Sequence, residues 1–338
     1  MKKYLKKVIV LTCLALMLTG CSTSRVEQSN KNEITQPEAN QDEQQLNVAE
    51  DFEAFIVKNP QIEELKNYIN DNISKADEKT ADEMVYKLIE LQKRGLENET
   101  NYFYTDNSLN VQKEIQQAYE KNIDKFDGSY VIIGNNKYDL IEAFENQEIA
   151  DYIEKLFKRG YGLASAEGAY YPVMDYKVLK DSYEDKVTDM TATYLDIMTK
   201  ELNEPTTVEE YLSISANKLK ERTLKYEEFL MNYSDSPYVE DIKINYMVCI
   251  WKLVNPNIFD GMIDENFRVI NELDDVYNDI LKDDSHTVTI EAVKGITEYI
   301  KSKNGVLGSM ENLDDLYETS YKLHSEAMER INTLYLNK

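Results

Sequence analysis

After residue 50, apolar side chains recur three and four residues apart along most of the chain, each run beginning behind a residue type that starts helices. In "TADEMVYKLIELQKR", Thr80 and Glu83 have the spacing of a capping box, and Met84, Leu88 and Leu91 follow on one face. Thr207 and Glu210 repeat that spacing, ahead of a stripe of Leu212, Leu219, Tyr226 and Phe229 or Leu230. Asn59 and Pro60 read as a cap and a first helical turn, as do Ser236 and Pro237. Phe267, Ile270, Leu273, Tyr277 and Ile280 line a further helix, and another is expected from about Thr287. A last helix carries Leu313, Leu316, Ser320, Leu323, Ala327, Ile331 and Leu334. A chain patterned this way must bury helix stripes against one another. The expected fold class is therefore all-α, a helical bundle or an irregular array of helical hairpins. At most one small β-hairpin is expected near residues 129–141, where "GSYVIIGNNKYDLIEA" holds a β-branched run, an Asn-Asn turn and a second short run.

The first twenty residues read differently. Lys2, Lys3, Lys6 and Lys7 precede an apolar stretch of eleven, Val8 to Leu18, which is too short to span a bilayer and has the layout of a secretory signal. It ends in Leu18, Thr19, Gly20 and Cys21. These four residues resemble the lipobox of bacterial lipoproteins, a likeness confined to residues 1–21. It implies removal of residues 1–20 and a diacylglycerol thioether on Cys21, so the membrane partner would be reached through lipid. Residues 22–47 contain no aromatic residue and little to bury, and they read as a polar tether of about 25–30 Å. The domain reading is a signal at 1–20, a lipidated Cys21 with its tether to 47, and a helical ectodomain over 48–338, with subdomains conceivable at 48–160 and 170–338.

Charge and cysteine content narrow the function classes. Residues 1–20 hold four of the 38 basic residues and no acid, so 34 basic residues would remain against 63 acidic ones, a net charge of −29. Such a charge disfavours nucleic acid and anionic headgroups. Of Cys13, Cys21 and Cys249, only Cys249 would remain unmodified; it lies in the apolar run "YMVCIWKL" and reads as a small buried hydrophobe. His286 and His324 are far apart and no cysteine pair exists, so no metal site and no cofactor beyond the lipid are expected. Acid pairs such as Asp274–Asp275, Asp283–Asp284 and Asp314–Asp315 read as solvated helix surface. No phosphate loop, dinucleotide fingerprint or nucleophile elbow is present.

One stretch, "RGYGLASAEGAYYPVMDY" at 159–176, packs three glycines, four tyrosines, a proline and two carboxylates into eighteen residues. It reads first as a helix stop, a glycine-loosened joint and a helix started by Pro172. It also supplies the candidate ligand-binding residues: Tyr161, Tyr170, Tyr171 and Tyr176 as amphipathic rings, with Glu167 and Asp175 as acceptors for sugar hydroxyls or a cation. Further on, Phe229, Tyr233, Ser236, Pro237 and Tyr238 resemble the helix–turn–helix junction of tetratricopeptide-like repeats. The likeness spans about twenty residues and does not recur at 34, so a well-capped helical hairpin is the reading preferred. Together these features lead to an expectation of a surface lipoprotein whose ectodomain binds or scaffolds an extracytoplasmic protein or glycan. The rivals are a transporter's solute-binding lipoprotein and a wall-active hydrolase using Glu167.

Overall fold

Helix starts are set by side chains that take up the free amides of each first turn. The computed structural model describes residues 39–104, 108–126, 131–308 and 313–336. Cys21, residues 1–20 read as a signal and most of the stretch read as a tether lie outside these residues. The helices are α1 (Ala39–Ile56), α2 (Ile62–Asn72), α3 (Glu78–Phe103), α4 (Ser108–Lys121), α5 (Gln147–Lys158), α6 (Tyr176–Tyr183), α7 (Asp189–Asn203), α8 (Ala216–Asn232), α9 (Val239–Val254), α10 (Asn271–Ile280), α11 (Thr287–Ser302) and α12 (Asp314–Ile331). The strands are β1 (Val131–Ile132), β2 (Tyr161–Ala166), β3 (Ala169–Met174), β4 (Thr207–Val208) and β5 (Tyr211–Leu212). The protein is thus mainly α-helical, with small open sheets.

Several boundaries differ from the sequence reading. Helix α1 begins at Ala39, inside the stretch read as tether, where "ANQDEQQLN" is made of residues that tolerate a helix and contains neither Gly nor Pro. Helix α3 is capped by Asp77, whose carboxylate accepts the Thr80 amide at 2.7 Å, so Thr80 lies buried within the first turn. Helix α2 starts behind a Gln61–Glu64 capping box; Asn59, with φ +52°, stands outside it. Phe267, with φ +58°, precedes α10 and is not on its face. The second Thr-x-x-Glu is no helix start. Thr207 and Glu210 belong to the β4–β5 hairpin, which turns through Glu209 and Glu210 at φ +50° and +70°. Tertiary contacts hold that turn. Lys252 Nζ donates to the Glu210 carbonyl at 2.6 Å, and Asp260 accepts the Leu212 amide at 2.8 Å while pairing with Lys252 at 2.8 Å. Helix α8 starts later, where Ser215 accepts the Lys218 amide.

The glycine-rich middle is a sheet rather than a joint. Strand β2 pairs antiparallel with β1 and β3, in the order β1-β2-β3. The expected hairpin within 129–141 is absent among the described residues: β1 takes β2 as partner, and Asn135–Ala143 coil into a 3₁₀ helix. Glu167 and Gly168, at φ +50° and +78°, turn β2 into β3. Pro172 sits opposite Leu163 within β3 and starts no helix. It is tolerated because β3 is an edge strand and its missing N–H points away from β2. Two residues earlier on that edge, the Gln112 side chain takes both backbone groups of Tyr170, accepting its N–H at 2.6 Å and donating to its C=O at 2.7 Å. The outward backbone groups of Tyr170 are thereby satisfied.

The C-terminal helices pack as hairpins. Helices α8 and α9 lie against each other, α9 also meets α12, and α11 lies against α12. Helices α11 and α12 come close at Gly295, where a Cβ would sit 2.3 Å from Leu323 Cδ2 and the leucine would have to shift. Glu227, buried on α8, accepts the Val288 and Thr289 amides at 2.9 and 3.0 Å and the Tyr335 hydroxyl at 2.9 Å. It needs no cation there, since the first turn of α11 supplies both donors and the positive end of the helix dipole. Buried apolar side chains from Val48 to Tyr335 form a continuous core.

At Gly162 a Cβ would lie 2.6 Å from the Ile132 carbonyl oxygen, a backbone atom that cannot move aside. Gly162→Ala should therefore cost about 1–3 kcal/mol in urea unfolding. Gly168→Asn, at a turn with open space around it, should stay within about 0.5 kcal/mol of the parent.

Candidate functional site

The six candidate residues of 159–176 are placed by the β2–β3 hairpin, which separates them. Asp175 is fully buried at the start of α6. Its Oδ1 accepts the Val178 amide at 3.1 Å, and its Oδ2 accepts the Gly134 amide at 2.9 Å and Lys137 Nζ at 2.7 Å. Lys137, equally buried, also donates to the Tyr161 carbonyl at 2.9 Å and lies 5.3 Å from the Phe157 ring centroid. Burial pushes its ammonium below the usual lysine range, against the pull of Asp175. Glu167 stands exposed at the hairpin turn, at the far end of a six-residue strand from Asp175. The separation is about 20 Å at the usual strand rise, so the two carboxylates do not flank a common bond.

The tyrosines divide likewise. Tyr161 is fully buried and donates to the Gln92 carbonyl at 2.8 Å; Tyr170 is buried and bonds the Gln116 side chain at 2.9 Å. Tyr171 is half-buried on the other face of β3. Tyr176 is buried at the head of a chain that runs through Tyr194, 3.3 Å away, to Asp241, which Lys93 also binds. The Tyr194 ring stacks on Tyr238 with centroids 3.9 Å apart. Burial raises the Tyr176 and Tyr194 hydroxyls above the ordinary phenol range, so both stay protonated as donors. Cys249 is buried as expected, its thiol pushed up to about 12 by burial.

Two of the open features elsewhere bear on function. The first is a cleft of about 870 Å³ bounded by the approach to α2, by α3 and by the end of α5. Pro60, Ile62 and Leu91 supply its apolar lining, with Arg94 and Lys155 exposed within it. Its most buried charge, Glu99, is bound by Arg159 and by the Tyr152 hydroxyl at 2.9 Å. Tyr161 touches this cleft only from behind, at Gly95, where a Cβ would meet its hydroxyl oxygen at 2.5 Å.

The second is an apolar stripe along two antiparallel helices, α9 and α12. On α9, Ile244 and Met247 are 54% and 38% exposed and Trp251 is half-buried; on α12, Tyr317 and Tyr321 are 56% and 60% exposed. Trp251 meets the Tyr317 and His324 rings at centroid distances of 5.7 and 5.6 Å. His324 Nε2 lies 3.2 Å from the Met247 carbonyl, and burial holds its pKa below the usual 6.5. The spacings i, i+3, i+7 and i, i+4, i+7 form a second stripe beside the core positions of each helix, which periodicity alone does not distinguish from buried positions in an apolar run such as "DIKINYMVCIWKL".

Among the described residues no His, Cys, Asp and Glu cluster is arranged to hold a metal ion, and no helix is long and apolar enough to cross a membrane. Compared with known proteins, the chain matches no family model, no curated protein and no solved structure.

Two outcomes follow. Lys137→Met leaves the Asp175 carboxylate buried without its cation and should cost about 3–5 kcal/mol, read from denaturant unfolding. The fluorescence of Trp251, the single tryptophan, should be quenched as His324 gains its proton, with a midpoint below pH 6.5; His324→Gln should abolish that transition.

Proposed function

We propose that this chain is a lipid-anchored surface protein whose helical body docks a protein partner. The observation that carries the reading is the α9–α12 stripe. Large apolar side chains there stay in solvent although the core beneath is closed, with Leu253 and Leu316 on the same helices buried. Isolated exposed apolar residues need no explanation, but a contiguous patch built of Trp, Tyr, Met and Ile has the composition of an interface centre. The anchoring half of the proposal rests on the lipobox-like Leu18–Cys21 and the length of chain behind it. Acyl chains on Cys21 would hold the protein at the outer face of the cytoplasmic membrane, where a chain of net charge −25 gains little from anionic headgroups. The polar groups within the body serve its folding: Asp175, Glu227, Glu99 and Asp260 are each bound by protein donors.

Two measurements test this. Cys21→Ala should move the protein from the membrane pellet to the soluble fraction, and unchanged sedimentation with the membrane would refute the anchor. Hydroxyl-radical footprinting should label Met247 and Trp251 at least about threefold more slowly in native membranes than in the purified protein, while Phe259, exposed elsewhere, labels equally in both. Equal rates at Met247 and Trp251 would refute the docking face.

A further inference from the structure

We infer that the partner segment is a cationic amphipathic α-helix, seated lengthwise between α9 and α12; the inference rests on the docking reading above and names its ligand. Three observations carry it.

The first is direction. Met247 lies against His324, Trp251 against Tyr317 and His324, and Ser320 Oγ donates to the Val254 carbonyl at 2.6 Å. As α9 advances, its contacts on α12 therefore retreat, and the two helices run antiparallel side by side. Neighbouring helices with axes about 8–10 Å apart leave a furrow between them. This furrow is walled by side chains of matching periodicity.

The second is length. Ile244 to Trp251 and Tyr317 to His324 each span seven residues, about 10 Å of helix rise. The occupant fitted to such a furrow is a helix of two to three turns of contact, with apolar anchors at i, i+3 or i+4, and i+7. An extended peptide would need an open sheet edge for its backbone, and this face is built from two helices.

The third is charge. Beyond the tyrosines, the solvent side of α12 presents Asp314 and Glu318, both exposed, with Lys322 as the exposed cation among them, and Glu240, 3.7 Å from Lys243, stands exposed at the first turn of α9, in line with Met247 and Trp251. These carboxylates border the apolar furrow on a chain of formal net charge −25. A helix with lysine or arginine flanking its apolar stripe complements that border, whereas a second copy of the same face would oppose like charges.

The test uses the purified full chain and Trp251 as the reporter. A Trp-free peptide of about 18 residues, Leu on one helical face and Lys on the other, is titrated against it, beside a scrambled peptide of the same composition. The expected result is a saturable shift in Trp251 emission. Affinity should fall at least about tenfold both for the scrambled peptide and for the Tyr317→Ser/Tyr321→Ser protein. Because both tyrosines are more than half exposed, this variant should keep the parental thermal transition, which circular dichroism checks. No shift, equal binding of the scrambled peptide, or unchanged binding by the variant would overturn the inference. So would self-association in sedimentation that the variant abolishes, since the occupant would then be a second copy. Footprint protection in membranes together with any of the first three results would leave a protein-docking face standing and remove only the cationic helix.

Discussion

The buried Asp175–Lys137 pair is the constraint around which the middle of the molecule is arranged. A carboxylate with no exposed surface must have its oxygens occupied. Those of Asp175 are filled by the first turn of α6, by the Gly134 amide and by Lys137. Lys137 in turn needs a second acceptor and finds the Tyr161 carbonyl at the start of β2. One ion pair therefore fixes the 3₁₀ segment, the sheet and α6 relative to each other. Within the 3₁₀ conformation of Asn135–Ala143, Lys137 reaches this buried carboxylate.

The same device recurs with different chemistry. Glu227 ties α8 to the start of α11 and to Tyr335 using amides and hydroxyls in place of a cation. Lys252 and Asp260 hold the β4–β5 turn, whose two glutamates adopt a backbone conformation that side chains rarely take without support. Acidic residues are abundant in this chain, and the buried ones act as clamps between elements, leaving the exposed ones to shape the surface potential. The proposed docking furrow depends on this division. Its floor is apolar, with Leu253 and Leu316 buried and Ser320 bonded to the Val254 carbonyl, and its border on α12 carries the exposed Asp314 and Glu318 beside Lys322.

Much of the helical architecture was legible. Helix α11 begins at Thr287, and the stripe of α12 buries Leu316, Ser320, Ala327 and Ile331 as its spacing requires. The junction at Phe229–Tyr238 is a helical hairpin between α8 and α9. Helix starts were less legible, because Thr80 and Asp77 are both competent caps and the choice depends on which one stays in solvent. The hairpin at 161–174 was missed for a related reason. Its turn is Glu-Gly rather than Asn-Gly, and both faces of β2 are buried over Tyr161–Ala164, which erases the alternation that marks a strand.

Local sequence, then, determined the helical class, the buried Cys249 and the acidic surface, because periodicity and composition act through neighbours a few residues away. The tertiary structure alone decided the fate of the candidate residues at 159–176. Whether Asp175 meets solvent or Lys137, and whether Glu167 stands near it or a strand's length off, depends on contacts among segments tens of residues apart. The exposure of Tyr317 and Tyr321 was decided in the same way: a helix carries its apolar residues on more than one face, and only packing selects which face is covered.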